Sequence, residues 1–224
     1  YFFWGSAWAD EYKTDQFIKK FEIIGNVNKP IEFDISGKIT SMSEERSSSI
    51  AIFPSDINNS IAFHYTEDYA EKFLTACFEA IGEVQDSENS AFEIYIKFKE
   101  EHHKIWFNQH QKLNDIVARC NLSLVIDNSN KYDVQSLIQS VSKVISIGFT
   151  TPGFDALCLG KNSIFFTPYS GIYNSLFNET SPFVANSVEG LVSFLSEGST
   201  LTASKIQRDA ILGTHQTETP GGKL

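Results

Sequence analysis

This sequence is poor in sulfur, in positive charge and in long apolar runs, and each shortage excludes something. The only methionine is Met42 and the chain begins at Tyr1, so the sequence is expected to be a fragment of a longer protein or a processed form. Cys77, Cys120 and Cys158 fall in or beside expected helices at no metal-like spacing. They read as free, buried thiols of a reducing compartment. No apolar stretch approaches the roughly eighteen residues that a membrane-spanning helix needs. The opening YFFWGSAW has neither the basic flank nor the apolar core of a secretory signal. Lysine and arginine number 18 against 28 acidic residues, a net charge of −10. That excess argues against a non-specific nucleic-acid binder, which needs cations to displace counterions. It leaves room for one phosphorylated metabolite held by a helix end or a few local cations.

Several catalytic signatures are missing as well. No Gly-x-Gly-x-x-Gly follows a strand, no Gly-Lys-Ser/Thr loop occurs, and there is no Gly-x-Ser-x-Gly elbow. His64, His102, His103, His110 and His215 form no metal-ligand spacing, although His103 and His110 lie one apolar-face repeat apart. No metal and no cofactor is expected.

What is present is a repeating alternation. The 224 residues are 42% hydrophobic and 21% charged, enough for one sizeable α/β domain plus an appendage. Strands are expected at Ile50–Phe53, Phe92–Phe98, Leu122–Ile126, Val144–Phe149 and Ser163–Phe166. Between them lie helical patterns at Glu67–Ile81, Lys104–Arg119, a short segment capped by Asp133, a brief helix ending at Gly160, and Val188–Leu195. Such alternation implies a Rossmann-like, mainly parallel sheet with helices on both faces. Ligands of these sheets bind beyond the carboxyl ends of the strands. Four turns are thereby singled out: 54–59, 99–103, 127–130 and 149–153. Residues 1–48 stand apart: one helical stretch, one short apolar run (FEIIGNV) and a Ser-rich linker. Residues 49–212 form the expected binding domain, and 213–224 read as a flexible tail.

The most informative segment is GFTTPGFDALCLGK, which starts at Gly148. An apolar strand runs through Thr150, Thr151, Pro152 and Gly153 into a helix. Thr151 suits the N-cap and Pro152 the first helical position. Gly153 leaves the backbone bare, and free N–H groups, two hydroxyls and the positive helix end together favour a phosphate. Asp155, expected in the first turn, would repel an anion placed too near and is better suited to ribose hydroxyls. The same residues also describe a plain, well-capped strand-to-helix turn, and both readings stand on local features.

The run GFTTPGFDALCLGKNSIFF resembles the C-terminal half of GT-B glycosyltransferases, especially bacterial surface-polysaccharide transferases of the Kdo-transferase kind. WGSAWADEYK with FEIIGNVNKPIEFD is similar to the stretch where the N-terminal domain of such enzymes ends, which implies that residues 1–48 are the end of a truncated N-terminal domain and a linker. IAIFPSD resembles the first strand of their C-terminal domain, and IYIKFKEEHH their lysine-histidine segment, here with two extra residues and no proline. The resemblance spans roughly residues 1–200. It implies a nucleotide-sugar donor site in which Ser55 and Asp56 face the inter-domain cleft. Lys97 or Lys99 would neutralise a diphosphate or sugar carboxylate, with His102 or His103 nearby. Asp127 and Asn128 would lie beside the base, Thr150, Thr151 and Gly153 would hold phosphate, and Asp155 the ribose. Lys97 and Lys99 also fit solvated edge charges, the histidines a packed or surface role, and Asp127-Asn128 a plain turn.

The resemblance implies sugar transfer from a nucleotide-activated donor to a glycan acceptor in surface polysaccharide synthesis, such as capsule or lipopolysaccharide. The protein would then be cytoplasmic, with peripheral association at the inner membrane face. Its general base would come from the missing N-terminal domain; in this chain Asp56 is a cleft-facing candidate only. The alternatives are a non-catalytic nucleotide-binding module, or a polyol-phosphate transferase or nucleotide-sugar epimerase of the same architecture.

Overall fold

The computed structural model describes residues 2–3, 22–23, 48–54, 57, 66–127, 133–148, 150–169 and 182–196. Two short strands, β1 (Phe2–Phe3) and β2 (Glu22–Ile23), pair in parallel. The remaining strands are β3 (Ser49–Phe53), β4 (Glu93–Lys97), β5 (Ser123–Asp127), β6 (Lys143–Ile147), β7 (Asn162–Phe166) and β8 (Val184–Ala185). They form one six-stranded sheet in the order β5-β4-β3-β6-β7-β8, parallel throughout. The helices are α1 (Glu67–Glu88), α2 (Glu101–Gln109), α3 (Gln111–Arg119), α4 (Val134–Ser140), α5 (Thr151–Cys158) and α6 (Val188–Ser196).

Side chains of β3, β4, β6 and β7 alternate between two apolar layers, which explains why these strands read as nearly unbroken hydrophobic runs. The edge strand β5 leaves Val125 exposed. Ile50, Ile52, Ile94, Ile96, Ile145, Ile147, Ile164 and Phe166 point to one face, where Phe73, Cys77 and Phe78 of α1, Leu113 and Ile116 of α3, and Leu191 and Leu195 of α6 cover them. Ala51, Phe53, Tyr95 and Val144 point to the other, under Leu137 and Ile138 of α4 and Ala156 of α5. The expected fold class, a parallel sheet covered on both faces, is the observed one. Burial also pushes the Cys77 thiol well above its ordinary 9.0, because the thiolate would lose its hydration.

All five expected strands are present, to within one or two residues at each end. Three features differ from expectation. The helix expected to stop at Ile81 runs to Glu88 and ends at Asn89, whose left-handed φ of 48° closes it. The helix expected at Lys104–Arg119 starts earlier, at Glu101, and is broken at His110, whose extended ψ of 92° separates α2 from α3. No proline or glycine marks that break. His110 Nε2 lies 3.1 Å from the Glu71 carboxylate and its ring stands edge-on to Trp106 at 5.0 Å, so tertiary contacts hold the joint. Strand β8 is the third. At two residues it is too short to leave a periodic signal, and Phe165 N–H to Phe183 O (2.7 Å) and Thr167 N–H to Ala185 O (3.0 Å) fix it. The tail expected at 213–224 and the Ser-rich linker expected before Ser48 lie outside the described residues.

Candidate functional site at the strand-order switch

The sheet order places the site. From β3 the chain crosses to β4 and then β5 on one side, whereas β6 leads to β7 and β8 on the other. β3 and β6 are hydrogen-bonded neighbours, with Phe53 opposite Ser146. Helices leaving these two strands diverge, and the crevice between their carboxyl ends is where open parallel sheets take ligands.

One wall is the exit of β6. Gly148 adopts φ +50° with open space where a Cβ would be, so backbone conformation alone calls for glycine there. Its N–H donates to Phe166 O at 2.9 Å. Thr150 then takes an extended conformation (φ −98°, ψ 156°) and is the N-cap of α5, with Thr151 and Pro152 as the first two helical residues. The cap is thus one residue earlier than Thr151, and Asp155 falls in the second turn, leaving the first free of acid. At the far end Gly160 (φ +72°) closes the helix. Lys161 N–H donates to Ala156 O (2.9 Å) and Gly160 N–H to Leu157 O (3.1 Å), the paired bonds of a Schellman stop.

The N-terminus of α5 is polar and incompletely satisfied. The Thr150 hydroxyl makes no cap bond, and its oxygen is buried with no hydrogen-bond partner among the described residues. Pro152 has no N–H, and Gly153 N–H donates to Thr150 O at 3.1 Å, so of the first three helical residues Thr151 is left as the main-chain donor. Thr151 is exposed. Gly153 faces inward: a Cβ there would lie 2.3 Å from both Phe165 Cε1 and Ser146 Oγ, so glycine sets how closely α5 sits on the sheet. That packing gives the glycine a role in the fold beside the bare backbone expected of it. Asp155 is also buried, at 8% exposure, and the loss of hydration alone raises its carboxyl above the ordinary 3.8.

α1 also begins at this end of the sheet, and its N-terminus is different. Thr66 Oγ1 accepts from Tyr69 N–H at 3.3 Å, and Glu67 and Asp68 already supply negative charge. A hydrogen bond from Tyr169, then one from Lys72, lowers the Asp68 carboxyl. An anion in the crevice therefore meets less repulsion at α5 than at α1.

The remaining sequence candidates divide. Lys97 is half-buried at the end of β4 and pairs in register with Asp127 at the end of β5, bringing these two positions together. Lys99 lies beyond the strand and is exposed. His102 is exposed, whereas His103, 1% exposed, turns into the fold with Nε2 3.2 Å from the Ile57 nitrogen. Ser55, Asp56 and Asn128 lie outside the described residues. Sequence reasoning missed Ser146, a fully buried hydroxyl on β6 with no partner among the described residues. Its place within the apolar run VISIGF was the available signal.

Sheet, crevice and helix order define a Rossmann-like domain of the kind found in GT-B glycosyltransferase-like folds. The backbone matches a mutant of S. aureus TarM, solved in complex with Fondaparinux, alpha-GlcNAc-glycerol and UDP, at a TM-score of 0.50 and 11% identity. The match covers 97% of this chain and 41% of that one, so the chain spans less than half the length of TarM. The chain belongs to the family of polysaccharide biosynthesis PFTS motif proteins, whose model matches residues 1–195. The C-terminal domain of a glycosyl transferase group 1 family protein (LpcC) from Francisella tularensis aligns at a TM-score of 0.44 and 14% identity, over 74% of this chain and 80% of that one. No curated protein matches the chain in sequence. Among the described residues, no helix is long and apolar enough to cross a membrane.

Proposed function

We propose that this chain is the donor-binding half of a glycosyltransferase of polysaccharide biosynthesis, and that the crevice between β3 and β6 receives the nucleotide of an activated sugar. The observation that carries the reading is the Thr150 hydroxyl, buried without a partner among the described residues at the crevice end of β6. A buried hydroxyl left unbonded costs about 1–3 kcal/mol, and a ligand oxygen would remove that cost. Family membership and the fold likeness to a UDP complex support the same assignment.

In this reading Thr150 and Thr151 hold phosphate through their hydroxyls, the Thr151 N–H and the acid-free end of α5. Asp155 accepts from ribose hydroxyls, which offset its lost hydration. Lys97, with Lys99 further out, answers the second phosphate or a sugar carboxylate, and Asp127 with Asn128 borders the base. Stabilising the departing phosphate electrostatically is what this half contributes to transfer. Ser55, on the donor side, and Asp56 are proposed to face the inter-domain cleft, with Asp56 a candidate base. The donor would be a nucleotide sugar, the acceptor a growing glycan, and the place of action the cytoplasmic face of the membrane.

Calorimetric titration of the chain with CMP, CDP, UDP and GDP tests the proposal. Saturable binding of at least one, with weaker binding of its nucleoside, is expected. Binding of none by the folded protein would remove the donor assignment.

A further inference from the structure

His103 occupies a place where an apolar side chain would serve packing as well. It lies on the buried face of α2 with Phe107, which contacts Phe78 at 6.1 Å and Phe98 at 5.7 Å between ring centres. At 1% exposure an imidazole has lost its water, and such a group persists where it makes specific bonds. Its Nε2 lies 3.2 Å from both the nitrogen and the carbonyl oxygen of Ile57, 46 residues earlier in the chain. One nitrogen cannot serve both groups at once. With the proton on Nδ1 it accepts from the Ile57 N–H, and with the proton on Nε2 it donates to the Ile57 carbonyl. His102, exposed, braces the ring edge-on at 4.0 Å.

Ile57 follows β3, whose last residue is Phe53, and α2 follows β4, whose last residue is Lys97. The bond therefore ties the exits of two adjacent strands, one of them a wall of the switch crevice. We infer that His103 is a positioning residue for the donor crevice, fixing the main chain of Ile57, four residues beyond the end of β3, without touching the nucleotide. The inference rests on the donor-binding reading above. A main chain fixed at Ile57 before the ligand arrives need not be ordered by it, so the tether should appear as affinity.

The test uses the full 224-residue chain, with amide exchange at Ile57 and calorimetry of whichever of UDP, CDP, GDP and CMP binds best. His103→Leu keeps an apolar side chain of fair size and removes the bond. It should speed Ile57 exchange and raise Kd by about tenfold, the scale of one lost hydrogen bond. His103→Gln, which can donate and accept, should recover most of both. In the wild type, saturating nucleotide should slow Ile57 exchange further, a readout that stands even if the leucine variant fails to fold. Faster exchange in His103→Leu with unchanged Kd, or wild-type exchange indifferent to bound nucleotide, would overturn the inference and leave the donor reading intact. If the wild type binds none of the four, the donor reading fails and this inference fails with it.

Discussion

Gly153 and Phe165 are packed so closely that a methyl group on the glycine would lie 2.3 Å from the edge of the ring. Phe165 is fully buried and also meets Phe154 at 4.9 Å, so it has nowhere to move. Overpacking costs about 1–3 kcal/mol, against a gain of about 1 kcal/mol for replacing a helical glycine by alanine. Gly153→Ala should therefore lower stability in urea denaturation, and it should displace the N-terminus of α5 where phosphate is proposed to bind.

Gly148→Ala separates backbone strain from packing. Nothing lies within 4 Å of the missing Cβ, but φ is +50°. The expected loss is about 1–2 kcal/mol from the left-handed conformation alone. Thermal unfolding measures it, and an unchanged melting point would mean that the strand exit relaxes freely.

Strands β3, β4, β6 and β7 were legible because each is a short β-branched or aromatic run buried on both faces. The edge strand β5, with Val125 exposed, was legible by its apolar run alone. Helix ends were less so. Thr150 and Thr151 are chemically alike, and proline is accepted at either of the first helical positions, so local pattern could not choose the cap. The break at His110 depends on Glu71, about 40 residues away, and Gly153's inward role on a ring from the next strand. Such contacts are non-local and leave no trace in periodicity. The placing of Thr150 at the switch crevice was half legible: strand alternation pointed to the carboxyl ends, but strand order came only from the sheet.

Asp155 makes a pH-dependent contribution whose sign is fixed by its burial. Its carboxyl is raised above 3.8 in the folded protein, so the native state binds the proton more tightly than the unfolded one. The stability that this linkage supplies is present below the unfolded value and is lost as pH rises through the raised folded value. Asp155→Asn should therefore be more stable than wild type at neutral pH. The advantage should shrink as pH falls through that window in denaturant titrations. The same variant should bind nucleotide more weakly if the carboxylate accepts from ribose.

Lys143 tests a different joint. Its ammonium donates to Phe194 O at 3.2 Å and to Leu195 O, at the carboxyl end of α6, and lies 5.7 Å from the Phe194 ring centre. That helix has no basic residue in its own last turn. Lys143→Met should keep the stem's packing and lose about 0.5–1.5 kcal/mol of stability in chemical denaturation, without changing nucleotide affinity.

The donor reading turns on the Thr150 hydroxyl, and Thr150→Val gives it two consequences of opposite sign. The hydroxyl makes no cap bond and has no partner among the described residues, so removing it should leave the unliganded protein as stable or about 1 kcal/mol more so. A hydrogen bond to a charged phosphate is worth about 1.5–3 kcal/mol, so affinity for the best-bound nucleotide should fall roughly 10- to 100-fold. Calorimetric titration of wild type and Thr150→Val, side by side with their unfolding curves, is the decisive measurement. Retained stability with weakened binding is the predicted result. Equal affinity in the two proteins, or no nucleotide binding by a folded wild type, would contradict it.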